Sequence, residues 1–162
     1  MKKKIEISIQ FEGMIFVDQL DVKLLQLLQE DGRITISELS KRLALSRPSI
    51  SERIAKLQES GVIEGFGARI SPAKLGKDTL MIIRITGLQV TPQKFESFIQ
   101  EQEEIIECHR VTGEVSYFMK AAVSGIGAMG LLIDRLIPYG IPNTSIIISS
   151  PVPFRHMLPE EG

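Results

Sequence analysis

Two helix starts standing close together constrain this chain more than any other feature. Thr35-Ile36-Ser37-Glu38 is a capping box. The threonine hydroxyl is placed to accept from the backbone N–H of Glu38, and the glutamate to reach back. Ile34 and Leu39 flank it as a hydrophobic staple. Ser46 then caps another helix, with Leu45 and Ile50 as its staple. Pro48 falls in the first turn, where a missing N–H costs nothing. The helix that starts at Thr35 must therefore end near Ala44, leaving Leu45-Ser46 as the joint. Two helices joined so tightly cross at a steep angle, which is helix-turn-helix geometry.

A further helix precedes this pair. Asp18 is placed as its N-cap, with Asp21 in the first turn, where negative charge suits the helix dipole. Val17 and Val22 form the staple, Leu20, Leu24, Leu25 and Leu28 the apolar face, and Gly32 the stop. In the helix from Ser46, Ile50, Ile54 and Leu57 make the inner stripe, and Gly61 closes it. At about 100° per residue, Pro48, Ser49, Ser51, Glu52, Ala55 and Lys56 point the other way, flanked by Arg47 and Arg53. Small hydroxyl-rich side chains let a helix enter a major groove about 12 Å wide, and Arg or Lys can neutralise phosphate or read guanine. The candidate DNA-binding residues are Arg33, Ser46, Arg47, Ser49, Ser51, Glu52, Arg53 and Lys56. Two of them carry a second reading: Arg53 as the partner of a neighbouring acid, and Glu52 as repelling phosphate unless a cytosine amine donates to it.

The formal charge of −1 does not announce a nucleic-acid binder, but its distribution does. From Arg33 to Lys56 there are six bases and two acids; from Thr91 to Glu107 there are five acids and one base. Such asymmetry assigns one half to a polyanion and the other to something else. No apolar run approaches the about 20 residues needed to span a bilayer. Met1-Lys2-Lys3-Lys4 resembles the head of a signal peptide, but Ile5 to Glu12 alternates apolar and polar, which is a strand signal. Residues 1–16 are read as an N-terminal extension carrying that strand signal; Met14 leaves a later start as the alternative. Cys108 is the single cysteine, so neither a disulfide framework nor a cysteine-rich metal site is expected. The expected location is cytoplasmic.

Three stretches resemble one family. Val17-Asp18-Gln19-Leu20-Asp21-Val22-Lys23-Leu24-Leu25 is similar to its first helix, and Gln29-Glu30-Asp31-Gly32-Arg33-Ile34-Thr35-Ile36-Ser37-Glu38-Leu39 to its approach to the second. The run from Leu45 to Ile63, through Arg47-Pro48-Ser49-Ile50-Ser51-Glu52-Arg53, resembles its turn and recognition helix. The family is that of the Lrp/AsnC, or feast/famine, transcription regulators, and the resemblance runs from about Val17 to Ser150. It implies an α+β C-terminal domain that forms homodimers, often builds octamers, and often binds an amino acid between dimers.

The second half reads as that domain. Residues 65–78, rich in glycine, form an extended linker between a helix-turn-helix domain at 17–64 and a domain at 79–152; residues 153–162 read as a solvated tail. Strands are expected over Thr79–Gly87, Ile105–Val111, Ser116–Val123 and Thr144–Ser150. Helices are expected after Thr91-Pro92 and over Ile126–Leu136. The fold class is thus α+β: an N-terminal helix-turn-helix, winged-helix-like domain and a C-terminal ferredoxin-like βαββαβ domain. Two helices on one sheet face leave the other bare, and a bare face asks for a second subunit. The resemblance implies an effector hinge at Thr112, Gly113, Glu114 and Ser116. Where the family often reads glycine, aspartate, aromatic, aspartate, this chain has Gly113, Glu114, Val115 and Ser116. Loss of the second acid leaves three readings: another effector, weak binding, or a plain hairpin turn.

Gly125-Ile126-Gly127-Ala128-Met129-Gly130 spells a dinucleotide fingerprint, but the position for its acid falls in Ile146–Ser150, which has none. Cys108 and His109 look like nucleophile and base, but strand neighbours point to opposite faces. Without a convergent acid/base pair, no enzyme, cofactor or metal is expected. Two functions stand: a sequence-specific regulator, and an architectural protein that wraps DNA with little sequence preference.

Overall fold

The computed structural model describes residues 17–158, so the expected strand in the N-terminal extension lies outside the described residues. The chain forms two compact units. One holds the described residues up to Ala68 and from Val152 onward; the other is Arg69–Pro151.

The first unit is built on α1 (Gln19–Glu30), α2 (Ile36–Leu43) and α3 (Arg47–Glu59). Each start is set by the expected cap. Asp18 accepts from the N–H groups of Leu20 and Asp21, and Asp21 returns a carboxylate to the Asp18 N–H, closing a capping box. Thr35 accepts from the Glu38 N–H, but the capping box expected there is not closed: Glu38 Oε1 accepts from Arg42 Nε at 2.9 Å, one turn on, instead of from the Thr35 N–H. Ser46 accepts from the Ser49 N–H. α1 ends at Glu30, with Asp31 rather than Gly32 as its C-cap. The turn into α3 depends on Ala44, whose φ of 52° is left-handed. The Leu45 N–H donates to the Ser40 carbonyl, and the Ser40 hydroxyl donates to the Leu45 carbonyl. Val17, Leu24, Leu25, Leu39, Ile50 and Leu57 form the buried core. Among the described residues, no strand follows α3 within this unit.

The second unit runs β1 (Thr79–Thr86), α4 (Pro92–Gln100), β2 (Ile105–Arg110), β3 (Val115–Val123), α5 (Ile126–Leu136) and β4 (Ile141–Ile146). The strands form one antiparallel sheet in the order β2-β3-β1-β4. Alternation divides its faces. Met81, Ile83, Ile85, Tyr117, Met119, Ala121 and Val123 face Phe95, Ile99, Leu132 and Leu136 of the helices. Ile82, Arg84, Phe118, Lys120, Glu107 and His109 share the opposite face by register.

Two differences from expectation are informative. The last strand begins at Ile141 rather than Thr144, with Pro142 paired to Ile85. Proline argues against a central strand, but β4 is an edge strand and needs no N–H there. The linker is not extended throughout: Pro72–Leu75 makes a 3-10 turn closed by Gly76 at φ 77°.

Candidate nucleic-acid interface

α3 presents the small outer face that its sequence implies. Ser46, Arg47, Pro48, Ser51, Glu52 and Lys56 are exposed, and Ser49 is half-buried. Ser46 is spent on the cap, and the Ser51 hydroxyl donates to the Arg47 carbonyl at 3.1 Å. Lys56 Nζ lies 2.9 Å from Glu52 Oε1, one turn earlier. Their hydrogen bond and mutual charge raise the Lys56 pKa and lower that of Glu52. The Glu52 charge is thus matched within the helix by the Lys56 ammonium. Among the described residues, Arg47 makes no ion pair. Arg33 is exposed in the turn before α2, where its N–H donates to the Asp31 carboxylate at 2.9 Å.

Arg53 faces the other way. Its Nη1 donates to Asp18 Oδ2 at 2.9 Å and Asp21 Oδ1 at 2.6 Å. The structure thus favours the second of its two readings, that of an acid's partner, over that of a phosphate contact. Burial pushes the Asp18 carboxyl up, but the Asp21 N–H, the Arg53 guanidinium and the Leu20 N–H outweigh it and hold its pKa below the ordinary value. Burial likewise works against the Arg53 charge, and the two carboxylates more than offset it. Asp18 and Asp21 are the residues that sequence reasoning left out of the site. The available signal was two first-turn acids facing a basic flank on α3.

In the second unit, residues 111–114 form the loop between β2 and β3, closed by the Val111 N–H donating to the Ser116 carbonyl at 3.0 Å. Thr112, Gly113 and Glu114 are exposed, Ser116 is half-buried, and Gly113 has φ 107°. Beneath them Tyr117 is buried, and its hydroxyl donates to Glu96 Oε1 of α4 at 2.7 Å. Burial, then the Glu96 hydrogen bond and charge, push the Tyr117 pKa up to about 12. This bond anchors the hinge to α4.

The misleading motifs fall into place. Cys108 packs against the core and His109 lies on the opposite sheet face, paired with Phe118. Burial raises the Cys108 pKa, the reverse of what a nucleophile needs. Gly125 opens α5 from an antiparallel sheet, without the parallel strands of a dinucleotide site. Among the described residues, no cluster of His, Cys, Asp or Glu could hold a metal ion, and no helix is long and apolar enough to cross a membrane.

Comparison with known proteins decides the lineage. Residues 17–64 match the winged helix-turn-helix DNA-binding family, and residues 80–157 match the Lrp/AsnC ligand binding domain. The leucine-responsive regulatory protein of Escherichia coli is 38% identical over 124 residues, 75% of this chain and 76% of that protein. The chain belongs to the Lrp/AsnC family. It is a sequence-specific DNA-binding regulator of that type. Among solved Lrp/AsnC structures, LrpC of Bacillus subtilis superposes with a TM-score of 0.82 at 28% identity, over 86% of this chain and 100% of that one. The feast or famine regulatory protein of M. tuberculosis, complexed with L-methionine, superposes at 0.81 with 30% identity, over 88% and 99%. The expected fold, a helix-turn-helix followed by a βαββαβ domain, is the one found.

Proposed function

We propose that this Lrp/AsnC regulator binds DNA as a homodimer through the outer face of α3. Arg47, Ser49 and Lys56 are the principal contacts, Arg33 adds a further phosphate contact, and Ser46, Ser51 and Glu52 shape the surface. The carrying observation is the exposed Arg47 on a small-residue face whose opposite side is locked into the core. Two such helices would enter successive major grooves about one helical turn apart. The uncovered sheet face with Phe118 is the surface for the second subunit; a larger assembly, an octamer, follows the family resemblance. For the effector we propose an amino acid held at Thr112, Gly113, Glu114 and Ser116, with Glu114 as the carboxylate that takes its ammonium group. The L-methionine bound to the M. tuberculosis relative supports that class of ligand.

Fluorescence anisotropy tests the DNA reading, using DNA from upstream of the protein's own gene against scrambled DNA over a salt series. Upstream DNA should bind at least about tenfold tighter, since specific sites exceed non-specific ones by three decades or more. Arg47→Ala and Lys56→Ala should each weaken binding. Equal binding to both DNAs moves the protein to the architectural class. A thermal shift with each standard amino acid tests the hinge. Stabilisation that Glu114→Ala abolishes supports it; no stabilisation by any of them sinks it.

A further inference from the structure

Arg53 holds two carboxylates with a single nitrogen, and each is divided between two tasks. Asp18 Oδ1 accepts from the Leu20 and Asp21 N–H groups at 2.8 Å, while Oδ2 takes the guanidinium. Asp21 Oδ2 accepts from the Asp18 N–H at 3.1 Å, while Oδ1 takes the guanidinium. The cap of α1 and the middle of α3 are therefore one polar cluster, joined across 35 and 32 residues of sequence.

The apolar contacts of Ile50 and Leu57 set how deeply α3 is seated, but such contacts are non-directional. A guanidinium held by two fixed carboxylates is directional. It resists rotation of α3 about its axis and sliding along it, the two movements that would carry Arg47 and Ser49 out of register with a groove. Asp21 is 8% exposed, and a charge at that depth is tolerated only with its partner. The guanidinium is thus held toward α1, away from the outer face.

We infer that Arg53 is a positioning residue of the recognition helix: clasped by Asp18 and Asp21, it fixes the rotation and register of α3 on α1 and makes no contact with DNA. The inference rests on the DNA-binding reading of α3.

The test is anisotropy of the full chain on upstream DNA over a salt series, at a temperature where circular dichroism shows each variant folded. Each phosphate contact contributes about one unit to the slope of log affinity against log salt. Arg47→Ala, the contact control, should lower the slope by about that much. Arg53→Met should weaken binding at least about tenfold with the slope unchanged. Arg53→Lys should recover most of the loss, because one nitrogen does the bridging. Asp18→Asn with Arg53→Met keeps the summed charge of the three positions and, asparagine being a good N-cap, keeps the cap. It should bind as weakly as Arg53→Met.

If Arg53→Met does not fold, Asp18→Asn alone carries the test: weaker binding at an unchanged slope supports the clasp, and wild-type affinity overturns it. A slope lowered by about one in Arg53→Met makes Arg53 a phosphate contact and overturns the inference. Wild-type affinity in Arg53→Met also overturns it. If the wild-type protein binds no DNA even at low salt, the DNA-binding reading falls and the inference with it, an outcome recognised because Arg47→Ala then also changes nothing.

Discussion

In α2 and α3 the residues that end one helix and begin the next are sequence neighbours: Ser40, Ala44, Leu45 and Ser46. In the sheet, Ile85 meets Tyr117 on one side and Pro142 on the other. The first unit specifies its elements by local caps and then packs a small core; the second assembles by pairing across the chain. The difference shows where each is vulnerable. The helical unit depends on caps, one strained turn and one ion cluster, whereas the sheet unit depends on close approach between distant segments.

The largest expected effect is in the sheet unit. Phe95 is fully buried between Tyr117 and Tyr139, with ring centroids 4.6 and 6.0 Å away. Phe95→Ala should cost about 3–5 kcal/mol. Hydrogen exchange should show Met119 and Ile83 losing protection while α3 keeps it; equal loss in α3 would break the division into two units. Next is Gly140, where a Cβ would meet Ile85 Cγ2 at 2.8 Å and the Thr86 carbonyl oxygen at 3.0 Å. Gly140→Ala should cost about 1–3 kcal/mol in chemical denaturation through overpacking.

The helical unit should respond more mildly and in both directions. Thr35→Ala should cost about 1 kcal/mol by removing the α2 cap. Ala44→Gly should stabilise by about 0.5–1 kcal/mol, because glycine bears no left-handed penalty. A thermal melt of Ala44→Gly at or below the wild type would show that the turn is not strained.

The smallest effect is in pH. The Asp18 pKa lies below its ordinary value, so its contribution is fully present above the unfolded value near 3.8 and is lost as pH falls through the folded one. The part of the stability gap between wild type and Arg53→Met that Asp18 carries should therefore hold from neutral pH to about 4 and be lost below it, so that the gap narrows there. A gap that already narrows above pH 5 would show that Asp18 is not the linked group.

Much of the fold was legible. The three N-caps, the turn, the βαββαβ order of elements and the bare sheet face all follow from local signals and alternation. The end of α1 and the start of β4 did not. Gly32 looks like a helix stop, but Asp31 already leaves the helix. Pro142 hid three strand residues because nothing local reveals that β4 is an edge. The tail reads as solvated, and the side chains of residues 153–158 are exposed. Its backbone is nonetheless held: Gln29 donates to the Met157 carbonyl at 2.8 Å and accepts from the Met157 N–H at 3.0 Å. A side-chain amide that reads backbone leaves no residue pattern to find.

The sequence by itself determined where helices begin, which faces are apolar, and that a small, basic, hydroxyl-rich surface lies on α3, because caps and periodicity act over a few residues. Only the tertiary structure decided what each charge on that helix does. Arg47 and Arg53 flank the same stripe and look alike in sequence. Asp18 and Asp21, brought over from α1, turn Arg53 inward and leave Arg47 on the exposed face, because a buried carboxylate requires a counter-charge and takes the one within reach.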